Sequence, residues 1–423
     1  MTRPTSAVST GPLWRQIGPG LLIAATGVGA GDVVAAGASA SRFGYAVLWA
    51  VLFGAVLKYV VNEGLARWQL ATGTTLIEGW TSRLGRGFQV AFLVYLIPWS
   101  FFVGGALISA CGLAAHAVAP ALSVEAWGVV HSLAAAIMVL LGSYRRFEDT
   151  MKIFVGVMFV GLVGCALAVA PVTRVIYRSV SEAAVPPGGI GSLLGVMGGV
   201  GGSVTLLSYG YWMRERGWEG AGLKRLIRVD LGVAYLLTGL FGLAVVILAA
   251  EVLHAGGVVV EGSSSVLVMG SMLETTLGPI GTWAFKLGFW AAVATSILGV
   301  WQGVPYLFCD FVALLKGLPA DRLRDFVSTR SPWYRGYLAF LCLPPLALLT
   351  FKRPVAVIVV YAAVGALFMP FLAGTLLYMN SRKDWVGPEM ASGRITNAIL
   401  VAGIVLFGYL GFTEIARSIG AAG

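Results

Sequence analysis

Gly27-Val28-Gly29-Ala30-Gly31-Asp32 and Gly198-Gly199-Val200-Gly201-Gly202-Ser203 decide the fold of this chain. Each lies inside an apolar run long enough to cross a bilayer, which takes about 20 residues. Each is also too rich in glycine to hold a helix. A glycine costs a helix about 1 kcal/mol relative to alanine and readily takes non-helical φ/ψ, so both runs are expected to unwind here. Unwound backbone at membrane depth is tolerated only inside protein or beside a cavity, and both stretches should therefore line one. The competing reading is close helix packing through small residues.

Composition sets the frame around these stretches. The chain has 423 residues, 58% hydrophobic and 11% charged, where a soluble domain carries about 25% charged. An ordinary cytosolic enzyme and a disordered chain are both excluded. Apolar runs at 18–42, 45–66, 88–115, 122–142, 153–172, 189–213, 231–252, 279–311, 336–351, 355–379 and 395–413 predict eleven membrane spans. The ninth is short because Pro344-Pro345 interrupts it and Lys352-Arg353 closes it. The two glycine stretches fall in spans 1 and 6, which open the two halves of a five-plus-five arrangement. Residues 1–17 form an N-terminal segment, 18–172 a first repeat, 189–379 a second, and 395–413 an additional span. An odd number of spans per half makes the repeats inverted. Interrupted helices at matched places in two halves point to a transporter binding site.

The net charge of +10 would suggest nucleic acid in a soluble protein. Here the positive-inside rule accounts for it: 21 of the Lys and Arg residues fall on the N-terminal side of the membrane, six on the other and two, Lys58 and Lys286, within spans. A multi-pass protein of the cell's inner (plasma) membrane is expected, with the N-terminus cytoplasmic and the C-terminus outside. Cys111, Cys165, Cys309 and Cys342 sit in or beside apolar spans without CxxC spacing and read as packing residues. The chain has no P-loop and no HExxH, so neither ATP-driven transport nor a zinc hydrolase is expected, and no cofactor.

Asp32 lies mid-span beside the first break. A carboxylate at the bilayer centre costs about 2.5–3.5 kcal/mol and usually marks an ion or substrate pathway. With the carbonyls that a break frees, it would form a hard-oxygen cation site. The alternative is a structural Asp paired with Lys58 or Arg67. Thr295 and Ser296 in span 8 offer hydroxyls to a coupling alkali cation, although helix hydroxyls more often bond their own backbone. Gln302 is a candidate pathway residue. Asp310 is expected to pair with loop arginines, and Asn62, Glu63 and Arg67 to brace one another near the cytoplasmic end of span 2.

These stretches resemble the Nramp (natural resistance-associated macrophage protein) family of divalent-metal transporters. The likeness runs through Gly18-Pro19-Gly20, Ala36-Gly37-Ala38, Phe43-Gly44-Tyr45, Leu48-Trp49, Arg67, Thr72-Gly73, Tyr144-Arg145-Arg146-Phe147-Glu148, Ser296-x-x-Gly299 and Gln302-Gly303. It implies the LeuT-type five-plus-five inverted repeat, all α-helical. The departures fall on the chemistry. Where the family's span 1 reads Asp-Pro-Gly-Asn, this chain reads Gly29-Ala30-Gly31-Asp32. Where its span 6 reads Ala-x-x-Met-Pro-His, the chain reads Gly202-Ser203-Val204-Thr205-Leu206-Leu207. Trp99-Ser100-Phe101-Phe102 stands where proton-coupled members carry span 3 acids.

Replacing the thioether with Thr205 removes a preference for soft metals, and Gly29 and Gly202 should leave a roomier cavity. The resemblance therefore implies a divalent-cation transporter for a hard ion such as Mg²⁺ or Mn²⁺, without standard proton coupling. Asp32 and Thr205 would be metal ligands, with Gly29, Ala30 and Gly202 lining the substrate site. Two alternatives stand beside it. One is a same-fold carrier of a small organic solute, an amine or amino acid, coupled to Na⁺ at Thr295 and Ser296. The other is a non-transporting membrane sensor.

Overall fold

The computed structural model describes residues 17–170, 172–199, 202–260, 264–351 and 354–420. The Asp32 carboxylate and the side chain of Ala30 lie outside the described residues, as do Val200 and Gly201. Among the described residues the regular structure is helical. Among the described residues, six helices are long and apolar enough to cross a bilayer. Spans 6 and 9 escape that count because each is divided into short pieces.

Span 1 is two helices, Pro19–Gly27 and Ala30–Phe43. Between them Val28 is extended, at φ −91 and ψ 99. Span 6 is likewise divided, into Ile190–Gly199 and Ser208–Glu215, with Gly202 at φ +80 and a tight turn at Val204–Leu207 in between. A positive φ of this size is nearly free only for glycine, so the second break depends on the residue type at position 202.

The unbroken spans follow their apolar runs and differ mainly at the ends. Span 2 is Leu48–Thr72, closed by Gly73 at φ +73. Span 5 starts at Tyr144 rather than 153, because the Ser143 side chain accepts from the Arg146 N–H and caps an amphipathic first turn. Span 8 belongs to a longer helix, Ser264–Leu315, that bends at Gly278, φ +67, just before Pro279. Span 9 runs Pro332–Cys342 and then tightens through Pro344–Phe351, where paired prolines remove successive N–H donors. Span 11 extends over Arg394–Gly420, past the expected end.

Span 1 packs between spans 7 and 8, and its second half lies against the first half of span 6. The core is apolar and aromatic, with Trp68, Trp80, Trp99, Trp212 and Trp301 fully buried. All four cysteines are free and buried. Arg67 bridges Glu63 at 3.1 Å and also donates to Met390 O and Ser392, which joins the C-terminal part of span 2 to the loop before span 11.

Candidate substrate site at the two breaks

The two broken segments touch. A Cβ built on Gly202 would lie 3.5 Å from Gly27 Cα and 2.4 Å from Thr205 Oγ1. Gly202, at positive φ, thus sits in van der Waals reach of the first break, and a Cβ there would collide with the Thr205 hydroxyl. Thr205 and Ser203 are almost fully buried, and neither hydroxyl finds a hydrogen-bond partner among the described residues. Ser208 Oγ, at the start of the next helix, is in the same condition. A buried hydroxyl without a partner costs about 1–3 kcal/mol, and three within six residues mark a place made for something else. Across the interface, the fully buried Lys58 of span 2 donates its ammonium hydrogen to the Gly202 carbonyl.

Span 8 closes the other side. Ser296 Oγ donates to Val28 O at 3.0 Å, the carbonyl released by the first break, and lies 3.2 Å from Ala292 O in its own helix. A Cβ on Gly29 would come within 2.4 Å of the same hydroxyl. The space beside Gly29 is taken up by Ser296 and that beside Gly202 by Thr205, so hydroxyls stand where the sequence predicted open room. Thr295 bonds back to Ala292 O at 2.8 Å. Gln302 joins three spans instead of standing alone: its side-chain oxygen accepts from Trp212 Nε1 and its carbonyl from Tyr334 OH at 2.7 Å.

Two buried carboxylates, Asp230 and Asp310, hold one end of the broken spans. Asp230 of span 7 accepts from Gly18 N at 3.0 Å, Gly20 N at 2.6 Å and Tyr209 OH at 2.9 Å. It caps the first helix of span 1 from outside, satisfying N–H groups that a helix start leaves open and sitting at the positive end of its dipole. The motif Gly18-Pro19-Gly20 is explained by this contact. Pro19 has no N–H to satisfy, and a Cβ on Gly20 would lie 2.4 Å from Asp230 O and 2.7 Å from its carboxylate. Asp310 of span 8 accepts from Thr75 Oγ1 at 2.6 Å and Tyr211 OH at 2.5 Å. Hydroxyls hold it; among the described residues no arginine comes within ion-pair distance, contrary to the expected pairing with loop arginines. The second half of span 6, Ser208–Glu215, is thus clamped by Tyr209 to span 7 and by Tyr211 to span 8.

The opposite end is held by Glu251, which accepts from Tyr45 OH at 2.9 Å and pairs with Arg174 at 3.3 Å and Arg178 at 3.6 Å. His254 Nδ1 lies 3.0 Å from Ser41 O beside it. Among the described residues no group of three His, Cys, Asp or Glu side chains could hold a metal. What the breaks do offer is oxygen, from hydroxyls and freed carbonyls, which suits hard cations.

A family profile described as natural resistance-associated macrophage protein-like, Nramp, matches residues 20–416. The chain belongs to the Nramp family. Its relatives include the divalent metal cation transporter MntH of Deinococcus radiodurans, 24% identical over 88% of this chain and 83% of the relative. MntH of Ralstonia nicotianae is 25% identical over 92% and 88%. Among solved structures, a mutant of the Eremococcus coleocola manganese transporter superposes with a TM-score of 0.72 at 13% identity, covering 98% of this chain and 90% of that one. MhsT in complex with L-phenylalanine gives 0.59 at 15% identity, covering 92% and 97%. The fold is accordingly the all-helical polytopic membrane fold of the Nramp and LeuT-type structures. The family is one of transporters, not of enzymes.

Set in the Nramp fold, the expected site residues Gly29, Gly202, Thr205 and Ser296 come together at the crossing of spans 1, 6 and 8. Thr295 turns back on its own helix, and Gln302 is engaged between spans 6, 8 and 9. Two residues carry more than the sequence reading gave them. Lys58 reaches the Gly202 carbonyl, and Asp230 pins the start of span 1. A charge in mid-span was the available signal for Lys58. Asp230, at the edge of an apolar run, gave none.

Proposed function

We propose that this Nramp-family protein moves a divalent metal cation across the membrane by alternating access. The preferred cargo is a hard ion such as Mg²⁺ or Mn²⁺, and no proton is carried by the route that the family resemblance implies for other members. The observation that supports this best is the meeting of the two breaks at Gly27 and Gly202, with the unpartnered hydroxyls of Ser203 and Thr205 beside them. Oxygen donors at an unwound crossing favour a hard ion over a soft one. That the MntH relatives are divalent metal cation transporters supports the same cargo class.

In this reading Asp32 and Thr205 are ligands, and Gly29, Ala30 and Gly202 give the ion access to backbone oxygen. Residues 18–172 and 189–379 are inverted repeats that rock against each other around the crossing. The N-terminus faces the cytoplasm and the C-terminus the outside, in keeping with the 21-to-6 distribution of basic residues.

The test is uptake of Mn²⁺ and Mg²⁺ into proteoliposomes, with a pH-sensitive dye inside and Asp32→Ala alongside. Divalent uptake without acidification, abolished in the variant, is expected. Full flux in Asp32→Ala would remove the proposed ligand, and uptake accompanied by acidification would remove the proton-free mechanism. A Na⁺-dependent thermal shift with an amino acid, and none with divalents, would replace the metal reading.

A further inference from the structure

Lys58 is a fully buried cationic side chain whose head group lies at the broken segment of span 6, bonded to the Gly202 carbonyl. Three features make this contact more than a packing accident. The acceptor belongs to a residue at φ +80, so its carbonyl is released from helical hydrogen bonding. The donor and acceptor are 144 residues apart and belong to spans 2 and 6. The buried hydroxyls of Ser203 and Thr205, which flank or approach Gly202 in the chain, have no partner among the described residues. An ammonium group is a compact, strongly hydrated point charge on a flexible four-carbon stem, and it competes for the same oxygen that a hard cation would take.

We propose that Lys58 is a tethered stand-in for the cargo cation. Its ammonium occupies the Gly202 carbonyl in the unloaded carrier and withdraws when a divalent ion takes that oxygen. This rests on the divalent-transport reading above and adds to it a way for the unloaded carrier to return. A site of inward-facing oxygens is costly to carry through the bilayer empty, because unpaired buried acceptors are costly. A resident ammonium satisfies the Gly202 carbonyl among them without a coupling ion. The same group tunes affinity, since a divalent ion binds only after displacing a positive charge from its own ligand. Apparent affinity is lowered by the fraction of carriers whose site is already filled.

The experiment separates the two halves of the transport cycle. Wild-type protein in proteoliposomes is assayed for net Mn²⁺ uptake, which requires return of the unloaded carrier, and for Mn²⁺–Mn²⁺ exchange, which does not. Lys58→Gln is expected to keep exchange, lose net uptake about tenfold and bind Mn²⁺ about tenfold more tightly by calorimetry. Equal loss of both modes would make Lys58 a structural residue and overturn the proposal, as would a variant unchanged in both. Wild-type protein that shows neither mode fails at the function itself, a result distinct from either variant outcome.

A second measurement needs no change at Lys58. The chain has seven lysines, so the ¹³Cε signal of Lys58 can be assigned by replacing the other six with arginine one at a time. Its shift on titration with Mg²⁺ is expected. A signal that does not move at saturating Mg²⁺ would overturn the proposal.

Discussion

Replacing Asp230 with Asn should free the first helix of span 1 at the end that the charge distribution assigns to the cytoplasm. The carboxylate accepts three hydrogen bonds: Gly18 N–H on Oδ1, and Gly20 N–H and Tyr209 O–H on Oδ2. Hydrogen bonds to a charged group contribute roughly 1.5–3 kcal/mol each, against about 1 kcal/mol for neutral ones. Asparagine keeps one oxygen. If that oxygen takes the Oδ2 place, the Gly20 and Tyr209 bonds survive in neutral form and the amide nitrogen faces the Gly18 N–H, donor against donor. The gross loss is about 3–5 kcal/mol, one charged bond removed and two weakened.

Part of that loss is returned, because the variant no longer buries a charge. A net shift of about 2–3 kcal/mol toward the released helix remains, or roughly 30- to 150-fold in the opening equilibrium at about 1.4 kcal/mol per tenfold. Hydrogen exchange followed by mass spectrometry reads this directly, since protected amides exchange through local opening. Peptides covering residues 18–27, where Leu22 N–H bonds to Gly18 O at 3.1 Å, should exchange faster by about that factor. Peptides from span 3 should not change. Unaltered exchange in 18–27, in a variant that elutes and melts like the parent, would refute the argument that Asp230 anchors span 1.

Thr205→Val removes the unpartnered hydroxyl at the second break while keeping the side-chain shape, so the melting temperature should hold or rise slightly while Mn²⁺ affinity by calorimetry falls about tenfold, the equivalent of one lost oxygen contact of about 1.4 kcal/mol. Gly29→Ala places a methyl 2.4 Å from Ser296 Oγ and should cost about 1–3 kcal/mol by overpacking. Adding Ser296→Ala should recover part of that cost. A thermal-melt double-mutant cycle with no coupling between the two positions would show that Ser296 does not fill the space beside Gly29.

The membrane class, the approximate spans and both helix breaks were legible in the sequence because they depend on local properties. Hydropathy fixes which segments leave water, and glycine clusters such as Gly27–Gly31 weaken a helix whatever surrounds them. The Nramp resemblance added the register that placed Gly29, Gly202 and Thr205 at one crossing. It did not give the contacts. Which atom fills the space beside Gly29, that Lys58 lies on the Gly202 carbonyl, and that Tyr209 and Tyr211 clamp span 6 to Asp230 and Asp310 were decided by tertiary packing. Separations of 21, 99 and 144 residues lie between the hydrogen-bonded partners. No helical periodicity relates residues so far apart. Only when the spans pack do buried polar groups have to find one another, because in the bilayer there is no water to satisfy them.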